Sequence, residues 1–455
     1  MRPDPRTTLV LLLLASPLRA QVGSIAERYG PVADRIINAA LSDSAAYDRL
    51  ATLTDRFGPR LSGSESLERA IDWVLAQMQQ DGLDNVRGEP VMVPHWVRGE
   101  ESAELVEPRR RRLPMLGLGG SIATPGGGIT APVLVVRSFD DLAARAADAR
   151  GKIVLFNVPF TNYGETVRYR SAGAIAAARA GAVASLIRSV TPYSQQTPHT
   201  GAMGYSDSVP RIPHAAITVE DAQMLQRMQD RGERPVVRLK MGARTLPDAP
   251  SRNPMAEIRG GERPDEVVVL GGHLDSWDVG QGAMDDGGGS VVSWQALRVL
   301  KRLGLKPRRT VRVVLWVNEE NGLRGGSGYR DAHQAELGRH VLAMESDGGV
   351  FQPTGFGFSG SDAAFATVRE VGSLLARIGA GSVTRDGGGA DISPLAEAGV
   401  PVMGLSVEDS RYFYYHHSDA DTMDKLNPRE MALCVAAMAV MAYVVADLPE
   451  PLPRR

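Results

Sequence analysis

The sequence contains a single cysteine, Cys434, so no disulfide can form within the chain. Cys434 lies in an apolar stretch of helical character, where we expect it to be a small buried side chain. A role as a catalytic nucleophile is not favoured, because a thiol buried in apolar surroundings is inert.

The chain also has little net charge and few aromatic residues. Its 51 lysines and arginines nearly balance 53 aspartates and glutamates, giving a formal net charge of -2, and aromatic residues make up 5%. The basic run at 109–112 has proline on both sides and no interleaved aromatic residues, as in a solvated loop. Nucleic acid is therefore not a predicted partner.

The apolar run at 9–15 is too short to span a bilayer. Arg2 and Arg6 precede it, and Ser16, Pro17 and the small residue Ala20 follow it. This order is typical of an export signal. It predicts a signal peptide at 1–20, cleavage near Ala20 and a secreted or periplasmic protein.

A second apolar run, at 431–446, contains sixteen uncharged residues rich in alanine and methionine. It is short for a membrane span, and Glu430 and Asp447 flank it. The run predicts a buried core helix, so we expect no stable membrane span.

The chain of 455 residues is too long for one ordinary core, and two or three domains are expected. After the signal, 21–112 is predicted to be the N-terminal part of the main domain, with a helix capped at Ser64 or Ser66 and stopped by Gly82. Near Leu113 the sequence becomes rich in glycine, and a separate alternation of strands and helices follows. We predict an inserted domain at 113–245 and the main part of the chain's principal domain at 246–455.

From Asn253 onward the pattern is strongly α/β. Strand-like runs at 267–270, 311–317, 341–344 and 400–405 alternate with helix-like stretches at 290–303 and 363–378. Such alternation predicts a mixed, mostly parallel central sheet with helices on both faces.

Acidic and histidine side chains follow all four predicted strands. Carboxyl ends of parallel strands meet at one edge of a sheet, where ligands gather. The candidates, in chain order, are His273, Asp275, Asp278, Asp285, Asp286, Glu319, Glu320, Glu345, Asp347, Glu408, Asp409, His416 and His417. Four such strand ends, two of them with histidine, are hard to explain as solvated turns.

Carboxylates crowded at one edge repel one another unless a cation compensates them. Mixed histidine and carboxylate ligands suit zinc, and thiolate is absent from the set. Five or six candidate ligands exceed one tetrahedral ion. The set therefore favours two metal ions that share a bridging carboxylate.

Five motifs in this order resemble those of the co-catalytic zinc exopeptidases, the family of bacterial zinc aminopeptidases. They are "FGPRLSGS", "GGHLDSWDVGQGAMDDGGG", "LWVNEENGLRG", "MESDGG" and "YYHHSDADT". The resemblance covers nearly the whole mature chain and implies the zinc-exopeptidase fold with an inserted protease-associated-like domain. It also implies two Zn²⁺ per chain.

The resemblance assigns roles residue by residue. It implies that His273 and Asp347 hold one zinc, that Glu320 and His417 hold the other, and that Asp285 bridges them. Glu319 would be the general base, taking the proton of a water held between the metals.

The resemblance also gives roles to residues around the ligands. Asp275 would accept from the far nitrogen of His273 and fix its tautomer. The peptide bond between Asp285 and Asp286 would be cis, with Asp286 shaping the loop. His417 is preferred to His416 because the family ligand directly precedes serine or threonine.

Several neighbouring residues are left with two interpretations. His416 could contact substrate or serve only the structure. The aromatic residues at 412–415 could line a specificity pocket or pack internally. Asp391 lies near the site in the family, but a helix N-cap is the simpler interpretation. The five histidines outside the motifs, expected to be structural or at the surface, are His95, His199, His214, His333 and His340.

The implied activity is hydrolysis of short peptides by a dipeptidase or carboxypeptidase, with a zinc aminopeptidase as the alternative. A non-catalytic, transferrin-receptor-like binding protein is disfavoured because every ligand position holds a suitable residue. A one-zinc glutaminyl cyclase relative is disfavoured by the second histidine and the many carboxylates. The family also implies a homodimer.

Overall fold

A computed structural model describes residues 24–454. The predicted signal peptide and its cleavage point near Ala20 lie outside the described residues. The helices are α1 (Ile25–Leu41), α2 (Ala45–Phe57), α3 (Glu65–Gln80), α4 (Phe139–Ala144), α5 (Ala146–Ala149), α6 (Tyr163–Arg179), α7 (Val219–Asp230), α8 (Gly288–Arg302), α9 (Arg324–Ala332), α10 (Asp362–Ser373), α11 (Ser393–Glu397), α12 (Tyr412–Tyr415) and α13 (Pro428–Asp447).

Two sheets of eight strands each are present within the described residues. The strands are β1 (Asp84–Val97), β2 (Glu101–Glu107), β3 (Arg111–Leu113), β4 (Met115–Gly117), β5 (Ile129–Val136), β6 (Ile153–Phe156), β7 (Ala184–Arg188), β8 (His214–Ile217), β9 (Val236–Met241), β10 (Arg244–Ile258), β11 (Arg263–His273), β12 (Arg309–Trp316), β13 (His340–Glu345), β14 (Pro353–Ser359), β15 (Ser382–Arg385) and β16 (Val402–Val407).

The first sheet has the strand order β1-β10-β12-β11-β13-β16-β14-β15. Its four central strands, from β12 to β16 in this order, pair in parallel. Antiparallel pairs lie outside them, with β1 on β10, β10 on β12 and β14 on β16. The predicted mixed sheet with a parallel centre is confirmed, and the four predicted strands form that centre.

Helices cover both faces of the first sheet, as predicted. Along β11, Val268 and Leu270 join the core that includes the buried residues of α8 and α13. The intervening Val267 and Val269 pack on the opposite face in a cluster with Tyr329 of α9 and Leu395 of α11. Successive side chains of a strand point to opposite faces, so a nearly continuous apolar run is what a doubly covered strand requires.

Two predicted helices have the expected ends and surroundings. The hydroxyl of Ser64 accepts from the main-chain N–H of Leu67 and caps α3, which ends just before Asp81 and Gly82. Helix α13 is the one helix among residues 24–454 long and apolar enough to cross a membrane, and 89% of its most apolar window is buried inside the protein. The prediction of a core helix is confirmed, and Cys434 is buried in it.

The second sheet has the order β3-β2-β9-β5-β6-β7-β8-β4 and is formed by residues 101–241, which we call the second-sheet segment. Its side chains form two apolar clusters, one containing Leu155 and the other Phe156, adjacent residues of β6. The predicted inserted domain at 113–245 stays a prediction. Strand β2 precedes residue 113 and already belongs to the second sheet.

Candidate metal centre

Asp285, the predicted bridging ligand, has its two carboxylate oxygens facing two different histidines. Its Oδ1 lies 3.2 Å from Nε2 of His273, and its Oδ2 lies 3.2 Å from Nε2 of His417. His273 ends β11, while His417 follows α12 beyond β16. Because β11 and β16 belong to the parallel centre of one sheet, their carboxyl ends bring these distant residues together.

The remaining predicted ligands complete two groups. Asp347, just after β13, places Oδ1 3.3 Å from His273 Nε2. Glu320, after β12, places Oε2 3.0 Å from His417 Nε2, while its Oε1 accepts from the N–H of Trp277. The structure thus brings all five predicted ligands together around Asp285.

The hydrogen bonding within this cluster is incomplete, as expected if its polar atoms bind a metal ion. The fully buried Nε2 of His273 and Oδ2 of Asp285 have no hydrogen-bond partner among the described residues, although buried polar atoms are normally paired. One ligand atom each from His273, Asp285 and Asp347 lies within 4.8 Å of the others, close enough to share an ion. Nitrogen and carboxylate oxygen donors in this number suit zinc.

His416 lies beside the same carboxylate. Its ring stacks on that of His417 at 3.5 Å, and its Nε2 is 3.5 Å from Asp285 Oδ2. Atoms of Asp285, His416 and His417 also lie within 4.8 Å of one another. His417 approaches both Glu320 and Asp285, whereas His416 approaches Asp285 alone, so the geometry favours His417 as the ligand.

The charges of the cluster respond to burial and to one another. Burial favours a neutral Asp285, but the adjacent imidazoles of His273 and His417 outweigh it and hold the pKa of Asp285 well below its usual range. Burial lowers the pKa of His417 to about 4, so its ring is neutral and can offer a lone pair.

The predicted base, Glu319, lies next to the cluster in the loop after β12. Its Oε2 is 4.0 Å from His273 Nε2. Burial raises its pKa to about 8, and the nearby carboxylates of Asp347 and Asp285 add to the rise. The chain turns sharply here, since Asn318 has a left-handed φ of 67° directly before Glu319.

Asp275 supports the site differently from the sequence-based expectation. The Nδ1 of His273 lies 2.9 Å from the main-chain carbonyl of Asp275 and 3.8 Å from its carboxylate. Its carboxylate instead accepts from the N–H groups of Glu319 and Glu320, at 3.2 and 3.4 Å. The carbonyl therefore orients the histidine, while the carboxylate holds the loop that carries the base and a ligand.

Asp286 has the expected supporting role, and the peptide bond that precedes it is cis. One of its oxygens accepts from the N–H of His273 and the other from the N–H of Gly289, both at 3.0 Å. It thereby ties the end of β11 to the start of α8.

Two buried residues that shape the ligand loop were not predicted. The guanidinium of Arg60 donates to the carbonyls of Leu274, Gln281 and Gly282 at 2.8–2.9 Å. The carboxylate of Asp421 accepts from three successive N–H groups that end at Asp285. Arg60 lies inside the motif "FGPRLSGS" and Asp421 inside "YYHHSDADT". Their place in these motifs is the sequence signal that could have identified them.

The interpretation of Asp391 as a helix N-cap is wrong. The N-cap of α11 is Ile392, and both carboxylate oxygens of Asp391 are buried without a hydrogen-bond partner among the described residues. Burial and the neighbouring carboxylate of Glu345 hold the pKa of Asp391 well above its usual range.

The aromatic residues of α12 mostly pack. Phe413 stacks on Tyr163 of the second-sheet segment at 5.1 Å, and Tyr412 lies 5.0 Å from His416. Tyr414 is partly exposed and meets Tyr193 edge to face at 5.7 Å. These rings join the second-sheet segment to the loop that carries His417.

Comparison with known proteins supports the motif resemblance. A model described as peptidase family M28 matches residues 253–442. Within the zinc exopeptidases the motifs most resemble carboxypeptidase Q. The mouse protein "Carboxypeptidase Q" (Mus musculus) is 53% identical over 429 residues, covering 94% of this chain and 91% of that protein.

Two solved structures share the fold. The peptidase M28 precursor from Shewanella amazonensis SB2B has a TM-score of 0.91 at 38% identity, covering 94% of this chain and 100% of that one. BSAP, a zinc aminopeptidase from Bacillus subtilis, has a TM-score of 0.67 at 22% identity, covering 90% and 98%. With relatives of this identity and coverage, the chain belongs to peptidase family M28.

Proposed function

We propose that this protein is a zinc exopeptidase that hydrolyses short peptides, as a dipeptidase or carboxypeptidase of the carboxypeptidase Q type, and that it holds two Zn²⁺ per chain. The observation that carries the proposal is the position of Asp285 between His273 and His417. Each histidine has a further carboxylate beside it. One shared carboxylate between two ligand groups is the arrangement that a pair of hydrolytic metals requires.

The ligands divide into two sets in this proposal. His273 and Asp347 hold one ion, Glu320 and His417 hold the other, and Asp285 belongs to both. Asp275 and Asp286 hold His273 in place through hydrogen bonds that involve main-chain groups. They thereby also hold the loops that carry Glu319 and Asp285.

Proton transfer falls to Glu319. When bound, the zinc pair lowers the pKa of a water molecule and polarises the substrate carbonyl. Glu319 accepts a proton from the attacking water and delivers it to the leaving amine. The pKa of Glu319 is raised to about 8 by burial beside carboxylates, so its carboxylate is a stronger proton acceptor than an ordinary one.

The choice of substrate terminus rests on the relatives. The chain is 53% identical to carboxypeptidase Q over 94% of its length, but 26% identical to the probable leucine aminopeptidase 2 of Aspergillus oryzae over 63%. We therefore favour a carboxypeptidase or dipeptidase over an aminopeptidase.

Metal analysis and product analysis test the proposal together. Zinc-restored protein should contain two zinc ions per chain and should hydrolyse free dipeptides. Blocking the peptide carboxyl group should abolish hydrolysis if the C-terminus is recognised, whereas loss on blocking the amino group alone would identify an aminopeptidase. A metal-free, inert protein would support a transferrin-receptor-like binding role, and a single zinc with cyclisation of N-terminal glutamine would support a cyclase.

We also propose that the protein is exported after cleavage near Ala20, that residues 113–245 form a protease-associated-like inserted domain, and that the chain forms a homodimer. The composition of residues 1–20 supports the first, and the separate second sheet supports the second. N-terminal sequencing of exported protein should begin near Gln21, and sedimentation should give twice the chain mass.

A further inference from the structure

The ligand residue His417 lies in an unusual piece of backbone. Its φ is 61°, in the left-handed region that residues with a side chain seldom adopt. The conformation turns the chain sharply between α12 and the following loop. Such a backbone persists only where surrounding contacts hold it.

Those contacts come from the second-sheet segment. The Nδ1 of His199 lies 2.6 Å from the main-chain carbonyl of His416, and the N–H of Thr200 donates to the carbonyl of His417 at 2.8 Å. His199 and Ser418 also form an isolated antiparallel bridge. Residues 416–418 are therefore paired with the loop residues His199 and Thr200 of the second-sheet segment.

The stretch around His199 is itself firmly held. The hydroxyl of Ser189 accepts from the N–H of His199 at 2.9 Å. The hydroxyl of Thr200 donates to the carbonyl of Gly117 at 2.8 Å, and the carbonyl of Gly201 accepts from the N–H of Gly119 at 3.0 Å. The stretch can act as a rigid support because it is anchored to the second sheet at several points.

In the part of the chain that the structure describes, the buried ring of His199 makes a single hydrogen bond, through Nδ1, to the carbonyl of His416. It is 2% exposed, and its Nε2 has no hydrogen-bond partner among the described residues. Since a carbonyl can only accept, Nδ1 carries the proton and donates it to His416. A histidine kept only for packing would not need this directed bond.

The other ligand histidine is supported differently. His273 is held by the carbonyl of Asp275 and by the carboxylate of Asp286, which lie close to it in the sequence. The two proposed metal positions therefore differ in what holds their histidines.

We propose that His199 is a positioning residue for His417, so that the metal held by Glu320 and His417 depends on the second-sheet segment. The inference rests on the proposed two-zinc function. Residues that orient metal ligands commonly change metal affinity 10- to 100-fold when mutated.

Three substitutions of His199 test this directly. In His199→Asn the amide nitrogen takes the place of Nδ1 and can still donate to the carbonyl of His416. His199→Leu removes the donor, and His199→Gln places its amide further out, near the position of Nε2. Zinc binding to the metal-free full-length protein is measured by calorimetry with a competing chelator.

We expect wild type and His199→Asn to bind two zinc ions with similar affinities. His199→Leu and His199→Gln should bind one ion normally and the other at least about 10-fold more weakly. His340→Leu is the matched control, because His340 is also buried and bonds a main-chain carbonyl through Nδ1, but at the opposite end of β13. It should bind both ions normally.

If His199→Leu and His199→Gln bind both zinc ions with wild-type affinity, the inference is overturned while the proposed function stays intact. Equal weakening of both ions would also overturn it. If His199→Leu fails to fold, the zinc affinities of His199→Asn and His199→Gln are compared instead, and equal affinities would overturn the inference. Failure of the wild type itself to bind two ions would instead refute the proposed function.

Discussion

The carboxylate of Asp421 accepts a hydrogen bond from the main-chain N–H of Asp285 at 3.2 Å. The same carboxylate accepts from the N–H groups of Ala283 and Met284, at 3.1 and 2.7 Å. Because Asp421 follows His417 by four residues, one side chain links the loop of the bridging ligand to the loop of a terminal ligand. Burial raises the pKa of Asp421 to about 7.

Asp421→Asn should weaken metal binding. An amide keeps one acceptor oxygen but turns an N–H donor toward main-chain donors, so at least one of the three bonds is lost. We expect zinc affinity to fall about 10- to 100-fold, as measured by chelator competition. The exposed neighbour Asp424 provides the control, and Asp424→Asn should bind zinc normally. Equal affinities in the two variants would contradict a positioning role for Asp421.

Glu319→Gln should abolish hydrolysis without loss of zinc. The amide is nearly isosteric but cannot take the proton of water, and general-base removal typically costs about 10²- to 10⁴-fold in rate. Steady-state kinetics on a dipeptide and metal analysis of the same sample check both parts. Glu336→Gln, outside the site, should keep wild-type activity. A Glu319→Gln enzyme with normal kcat would assign the base role elsewhere.

The centre of the first sheet was predictable, because strands that are covered on both faces have nearly continuous apolar sequences. The runs at 267–270 and 311–317 became β11 and β12. The strands β14 and β15, at one end of the sheet, were not predicted, since "PTGFGFS" and "SVTR" are short, rich in glycine or polar, and lack a clear period. Their pairing depends on neighbours that are distant in the sequence.

The ligand residues were predictable because their side chains carry the chemistry. The supporting residues Arg60, Asp421 and His199 were not, because their partners are main-chain carbonyl and N–H groups. Every residue except proline has both of these groups, so the sequence carries no sign of such a pairing. Only the fold brings His199 to a carbonyl 217 residues away.

Gly289 should not tolerate a side chain. A Cβ at this position would lie 1.8 Å from the carbonyl oxygen of Ser346 and 2.4 Å from Oδ1 of Asp286. Gly289→Ala must push apart the start of α8 and the loop after β13, and such overpacking costs about 1–3 kcal/mol.

The matched control for Gly289→Ala is Gly164→Ala, within α6. A Cβ there would meet only Oδ1 of Asn162, at an ordinary contact distance of 3.6 Å, and replacing a helical glycine by alanine stabilises by about 0.5–1 kcal/mol. Urea denaturation of the metal-free proteins should give opposite signs for the two variants. A neutral Gly289→Ala would show that the loop can move away from α8.

His214 should make the protein sensitive to acid. Its ring is fully buried in the second-sheet segment, and burial lowers its pKa to about 4. Its Nε2 lies 3.2 Å from the carbonyl of Arg170, while its Nδ1 has no hydrogen-bond partner among the described residues. A second proton, on Nδ1, would therefore be buried without an acceptor.

The sign of the pH effect follows from the lowered pKa of His214. In the unfolded chain the ring binds a proton below about pH 6.5, whereas the folded ring stays neutral to about pH 4. The unfolded state thus binds more protons in this window, and stability falls as the pH falls from 6.5 toward 4.

The variant His214→Gln tests this contribution, because its amide can still donate to the carbonyl of Arg170 but does not titrate. The free energy of unfolding in urea is measured at pH 7.5 and at pH 4.5 for both proteins, without metal. Other titrating groups are shared, so they cancel in the difference between the two proteins. The wild type should lose about 2–3 kcal/mol more than the variant over this interval, since each pKa unit corresponds to about 1.4 kcal/mol. Equal losses would mean that His214 becomes solvated or protonated in the folded protein.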